Sequence, residues 1–200
     1  MNHKETPPDP ALGARFREAL VFAFQLHSHQ VRKASRTPYI SHLLSAAATA
    51  IQFGADEDEA IAALLHDAIE DQGGERTRQE IRELFGERVV EIVNGCTDSD
   101  TNPKPPWRQR KEAYLDHLKS APHSVRLVVA CDKLHNARSI LIDYRSLGDE
   151  LWQRFTGKKD GTLWYYNSIS EIFQTFGPHP LFEELVRVID QINALAASDS

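Results

Sequence analysis

Cysteine is scarce in this sequence: there are two in 200 residues, Cys96 and Cys131. Neither belongs to a C-x-x-C pair, so the spacing of a paired-thiol metal site is absent. Both sit in apolar contexts, VNGC and VVAC, and are expected to behave as small buried hydrophobes. Long apolar runs are missing as well. The longest, Ser124–Cys131, is interrupted by Arg126 and is far too short to cross a bilayer. The opening MNHKETPPDP is polar and proline-rich, with no apolar stretch of a signal peptide behind it, and a cytoplasmic location is expected. An excess of positive charge is also lacking. The formal net charge is −6, which argues against a protein that neutralises the backbone of a nucleic-acid polymer. Short basic groups (Arg32, Lys33 and Arg36; Lys104, Arg108, Arg110 and Lys111; Lys133 and Arg138; Lys158 and Lys159) suit one compact anionic ligand better. Strand-type alternation and internal repeats are absent too.

What remains is helical. Hydrophobic residues make up 41% and charged residues 26%, ordinary values for a globular chain able to bury a core. Apolar residues recur at helical spacing from Ala11 to about His29. The basic segment VRKASRTPY then forms a loop, because Pro38 disfavours helix at Thr37. Ser41 is placed to cap a helix over His42–Phe53, ended by Gly54. Asp56 or Asp58 opens a helix that carries IAALLHDAIED to about Asp71 and stops at Gly73 and Gly74. Shorter helices follow over Thr77–Phe85 and Glu87–Cys96. The stretch Thr97–Pro106 holds three prolines and reads as a loop long enough to be functional or mobile. Trp107–Leu118, His123–Tyr144, a turn at Leu151–Phe155, Thr162–Phe176 and Pro180–Ala196 complete an all-α bundle of about eight to ten helices. Residues 1–10 read as a loosely attached tail and 11–200 as a single domain.

LLHDAIED is the densest chemical signal. On a helix Glu70 lies one turn beyond His66, and Asp71 one turn beyond Asp67, beside apolar Ala62, Leu65 and Ile69. So much charge against a buried stripe is costly unless something compensates it. A His-Asp dipeptide alone is commonplace on solvated helix edges, but two further residues add weight. His42 stands at a helix start, and Asp132 directly follows an apolar run expected to be buried. His42, His66, Asp67 and Asp132 together supply two imidazoles and two carboxylates from three helices. Mixed nitrogen and oxygen donors suit Mn²⁺, Fe²⁺ or Zn²⁺ better than Ca²⁺.

Four segments, HSHQVRKASRTPYISH (His27–His42), ALLHDAIED (Ala63–Asp71), VNGCT (Val93–Thr97) and DKLHNARS (Asp132–Ser139), resemble the HD superfamily. Within it they are most similar to the hydrolase domain of RelA/SpoT alarmone enzymes and their stand-alone relatives. The similarity covers about residues 15–145 and leaves helices over 147–196 loosely matched. It implies an HD-domain helical bundle that hydrolyses the 3′-pyrophosphate of (p)ppGpp or (p)ppApp. His42, His66, Asp67 and Asp132 would hold Mn²⁺ or another divalent transition metal. Glu70 and Asp71 would position or activate the attacking water, Arg32 would pack on the base with Lys33 near the phosphates, and Asn136 and Ser139 would contact the ribose region. The partner is then a small nucleotide, with no polymer and no membrane. The chain departs from the pattern at Lys133, where arginine is usual, at Ser139, where threonine is, and at Asp98, where a basic residue often follows the threonine. A nucleotide monophosphatase, an NADPH 2′-phosphatase and a non-catalytic alarmone-binding module on the same frame are the alternatives. His27 and His29 read as ordinary surface or capped groups. His135, one turn after Asp132, is placed either to support a metal ligand or simply to pack. Trp164, Tyr165 and Tyr166 read as core, and Trp107 as an anchor for the loop before it.

Overall fold

The computed structural model describes residues 12–32, 36–99, 101 and 103–198; the expected tail, Lys33, and Asp100 and Asn102 of the Thr97–Pro106 loop lie outside them. The chain forms ten α-helices among the described residues: α1 (Ala14–Leu26), α2 (Ile40–Gln52), α3 (Glu57–Leu65), α4 (Ala68–Gln72), α5 (Glu75–Phe85), α6 (Glu87–Cys96), α7 (Trp107–Ser120), α8 (His123–Leu147), α9 (Lys158–Thr175) and α10 (Pro180–Ser198). A 3-10 segment over Gly148–Arg154 joins α8 to α9. The all-α reading holds. The only extended pairing among the described residues is an isolated antiparallel bridge between Val31 and Pro38. It closes the basic loop through Arg32 N–H to Thr37 O (2.8 Å) and Tyr39 N–H to Gln30 O (2.9 Å).

Helix α8 is the axis of the fold. Six consecutive residues, Leu127–Asp132, are buried, which requires neighbours on every side. These are α2, α3, α6 and α10. The crossing with α6 depends on Gly95, where a Cβ would come within 2.6 Å of a Val125 methyl. A similar seat holds Trp107 at the start of α7, whose ring would meet a Cβ on Gly157 at 2.7 Å and one on Gly161 at 3.2 Å. Trp107 thus anchors the end of the loop, as its position suggested. No helix of the described residues is long and apolar enough to cross a membrane.

Three local expectations are corrected. Ser41 does not cap α2: the helix begins at Ile40, Tyr39 already has helical angles, and no side chain caps the end. The first helix stops at Leu26, because His27 and the residues after it turn into the bridge. Most consequentially, the helix expected from Asp56 to Asp71 is broken at His66–Asp67. Its start is as read, a reciprocal capping box between Asp56 and Glu59. At the break, the His66 ring accompanies the Ala63 carbonyl at 2.9 Å, the acceptor that Asp67 N–H would use in an uninterrupted helix. The chain bends there and restarts as α4, whose end is set by Gly73 at φ 140° and Gly74 at φ 58°, angles that other residues resist.

Gly95→Val should destabilise the protein by about 2 kcal/mol through overpacking against α8. A denaturant midpoint equal to that of the wild type would contradict the close crossing.

Candidate metal centre and cleft

The bend at His66–Asp67 brings both side chains toward His42 in the first turn of α2 and Asp132 in the middle of α8. The two imidazole Nε2 atoms are 3.2 Å apart. Asp67 Oδ2 lies 3.1 Å from His66 Nε2 and 3.5 Å from His42 Nε2. Asp132 Oδ1 lies 3.2 Å from His42 Nε2 and 3.6 Å from His66 Nε2. Donor atoms of His42, His66 and Asp67 all fall within 4.8 Å of one another, and Asp132 completes the ring. Bonds of about 2.0–2.2 Å to one ion place neighbouring donors roughly 3.0–3.5 Å apart. The donor set therefore fits a divalent cation in both chemistry and spacing.

The tautomers agree. His66 Nδ1 can only donate to the Ala63 carbonyl, which leaves a lone pair on Nε2 facing the other donors. His42 Nδ1 meets His135 Nδ1 at 2.8 Å. Burial, with the neighbouring Arg32 charge, pushes the His135 pKa down to about 4. His135 is then neutral at pH 7 and accepts the bond from His42, freeing the His42 Nε2 lone pair. Of the two readings of His135, the contact with His42 is the arrangement that the supporting one calls for.

Electrostatics concentrate a demand for positive charge at the same point. Burial opposes charge on Asp132, but Lys133 and the two imidazoles outweigh it and hold the carboxyl well below the usual range. The Lys133 ammonium is 2.6 Å from Asp132 Oδ2, leaving Oδ1 for the centre. Burial likewise opposes charge on Asp67, where His66 and His42 prevail. Burial of His66 is in turn outweighed by Asp67 and Asp132, which raise its pKa well above normal. A metal ion would take the position of that proton.

A cleft of about 580 Å³ opens on this cluster. Among the residues singled out in the sequence, Arg32, Glu70, Asp71, Asn136 and Ser139 line it with Asp67 and Asp132; Lys33 is outside the described residues. Arg32 donates to Asn136 Oδ1 at 2.7 Å, and Asn136 donates in turn to Asp132 Oδ1. Ser139 Oγ bonds back to His135 O at 2.9 Å. The two acids of α4 have different surroundings. Glu70 accepts from Lys104 at 2.7 Å and from Asp98 N–H at 3.3 Å. Asp71 accepts from Gln30 at 2.7 Å, and burial together with the Asp67 charge raises its pKa.

Several participants were noted in the sequence without a place in the site. Tyr39 donates its hydroxyl to Asp67 Oδ2 at 2.6 Å, although its segment, PYISH, was noted only as a helix start and a family match. Asp98, Arg110, Lys111 and Lys133 line the cleft. His27 is a correction: it is buried, stacked on Tyr39 and bonded to Gln30 at 2.6 Å. Tyr165 and Tyr166 are core as expected, yet they also form cleft wall. Cys131 is fully buried, whereas Cys96 is half-buried at the cleft; burial pushes both thiols up.

The fold and the buried His/Asp cluster define an HD-domain protein, and the HD-domain family model matches residues 19–162. The chain belongs to the HD-domain family. Within it, the chain is 39% identical over 126 residues to guanosine-3′,5′-bis(diphosphate) 3′-pyrophosphohydrolase MESH1 of Xenopus tropicalis, a match covering 62% of this chain and 68% of that one. It is 33% identical over 132 residues to the bifunctional (p)ppGpp synthase/hydrolase SpoT of Escherichia coli (strain K12), covering 63% of this chain but 18% of SpoT. Among solved structures, a metazoan orthologue of SpoT described as hydrolysing ppGpp superimposes with a TM-score of 0.75 at 24% identity, over 92% of this chain and 97% of that one. The protein lmo0812 of Listeria monocytogenes EGD-e superimposes with a TM-score of 0.67 at 30% identity, over 78% and 97%.

Mn²⁺ at a hundred times its dissociation constant should add about 2.7 kcal/mol of stability, read as a rise in melting temperature. His66→Ala should remove that rise. His135→Phe should weaken metal affinity about ten- to a hundredfold; an unchanged titration would remove the supporting role of His135.

Proposed function

We propose that this protein is an Mn²⁺-dependent alarmone hydrolase that removes the 3′-pyrophosphate of (p)ppGpp-type or (p)ppApp-type nucleotides. One observation carries the reading: a four-residue His/Asp centre lies at the floor of a cleft whose wall carries several cations and a neighbouring pair of acids. The similarity to MESH1, whose name states this activity, supports the choice of substrate class. Residues 11–200 act as one HD unit on a small nucleotide in the cytoplasm.

Each group has a task that its surroundings suit. When bound, the metal supplies Lewis acidity and a water of lowered pKa. Asp132 and Asp67 are kept ionised, so both remain available as ligands at neutral pH. Lys133 and Tyr39 fix the outer oxygen of one carboxylate and the orientation of the other. Asp71, with its raised pKa, is the better of the two acids to accept a proton from the attacking water. Glu70, tied to Lys104 and the Asp98 backbone, holds the loop against the reacting centre. Arg32 offers a planar cation to the base or phosphate, and its bond to Asn136 sets its direction. Attack at the 3′-α-phosphorus breaks the bond to the ribose 3′-oxygen and releases pyrophosphate. The protein contributes position and charge rather than covalent chemistry.

Incubation of ppGpp or ppApp with the Mn²⁺-loaded protein should yield pyrophosphate and the nucleoside 5′-diphosphate on anion exchange. Intact nucleotide would sink the proposal, and orthophosphate would point to a phosphatase on the same frame. Asp71→Asn should lower kcat by about 10²- to 10⁴-fold while leaving the metal titration near that of the wild type.

A further inference from the structure

We propose that Arg110 and Lys111, drawn together by Asp98, bind a phosphate group of the substrate other than the one under attack. The inference rests on the alarmone-hydrolase reading above. Both cations project from α7 onto the same carboxylate oxygen: Lys111 Nζ is 2.8 Å from Asp98 Oδ2, and Arg110 Nη1 also bonds to it. Their side chains are only 17% and 15% exposed, and that of Asp98 is 7% exposed. All three line the cleft.

Charge and hydrogen bonding are both left over at this point. Arg110 and Lys111 share the single Asp98 carboxylate, while Lys104 pairs with Glu70. Arg110 also gives Nε to Pro105 O at 3.2 Å. Its Nη2 and two of the three Lys111 N–H groups have no acceptor among the described residues. These donors open on the cleft, where a ligand can take the place of water on them. The acceptor here would come from a ligand in the cleft. Lys111 lies 4.9 Å above the Tyr165 ring, an apolar backing that strengthens charge-assisted bonds. A guanidinium fork beside an ammonium matches the several oxygens and double charge of a phosphate.

The position favours a phosphate adjoining the reaction. Arg110 Nη1 is 4.0 Å from Glu70 Oε1, and both line the same cleft as Asp67 and Asp132. The ligand chemistry, a terminal phosphate, is supplied at either end of an alarmone: the outer phosphate of the 3′-diphosphate or that of the 5′-diphosphate.

Three nucleotides separate these sources: ppGpp, ppGp (no outer 3′-phosphate) and pGpp (no outer 5′-phosphate). KM for ppGpp and inhibition constants for the other two would be measured with wild type, Arg110→Gln and Lys111→Met. A double variant, Asp98→Asn with Arg110→Gln, avoids leaving a buried carboxylate underpaired and serves if a single variant melts early. Binding should weaken at least tenfold for every nucleotide that carries the recognised phosphate and less than twofold for the one that lacks it. Indifference of ppGp assigns the 3′ end, and indifference of pGpp the 5′ end. An equal factor on all three, or no change on any, overturns the inference. Wild-type enzyme that releases no pyrophosphate from ppGpp fails the proposed function itself, a separate result.

Discussion

The structure depends on one concentration of unlike charge: two imidazoles and two carboxylates meet within 3.6 Å inside a helical core. Four such groups cannot be left there for packing alone, since desolvation of each opposes its charge. Every surrounding bond can be understood as service to that point. Lys133 takes the outer oxygen of Asp132, Tyr39 bonds to Asp67, Ala63 accepts from His66, and His135 accepts from His42. The supports come from the basic loop's exit, from α3 and from α8, so the centre is also where these parts of the chain are tied together.

Rigidity of the frame follows from α8. A helix buried on all sides has little freedom to rotate, and Asp132 is placed by the same packing that buries Leu127–Cys131. The bend after α3 has the opposite character. It interrupts the hydrogen-bond ladder at a cost, and in return aims two adjacent residues at one target, which consecutive positions of an uninterrupted helix, about 100° apart around the axis, do poorly.

Much of this was legible in the sequence. Helical periodicity gave the elements to within a few residues, and glycines marked the stops because only they enter the required backbone region readily. The buried site residues stood out because His66 and Asp132 are chemically out of place in apolar surroundings. Other features were hidden for definite reasons. The break at His66–Asp67 coincides with a side chain bonding to a backbone acceptor, which periodicity cannot register. His27 and Tyr39 looked unremarkable because their roles arise from stacking across the loop. Asp98 stands where a basic residue often does in the resembled family, and its meaning emerged only when α7 was seen to deliver two cations to it.

The seat of Trp107 against Gly157 and Gly161 has a consequence for how this protein can diverge. The segment after α6 is fastened at its entrance, where Thr97 Oγ1 bonds to Val93 O at 2.9 Å, and at its exit by the indole. Residues gained or lost between these two fixed ends add only a logarithmic entropy cost, and α7 stays where it is. Drift in that segment can therefore retune what enters the cleft while the register of the helix behind it is inherited unchanged.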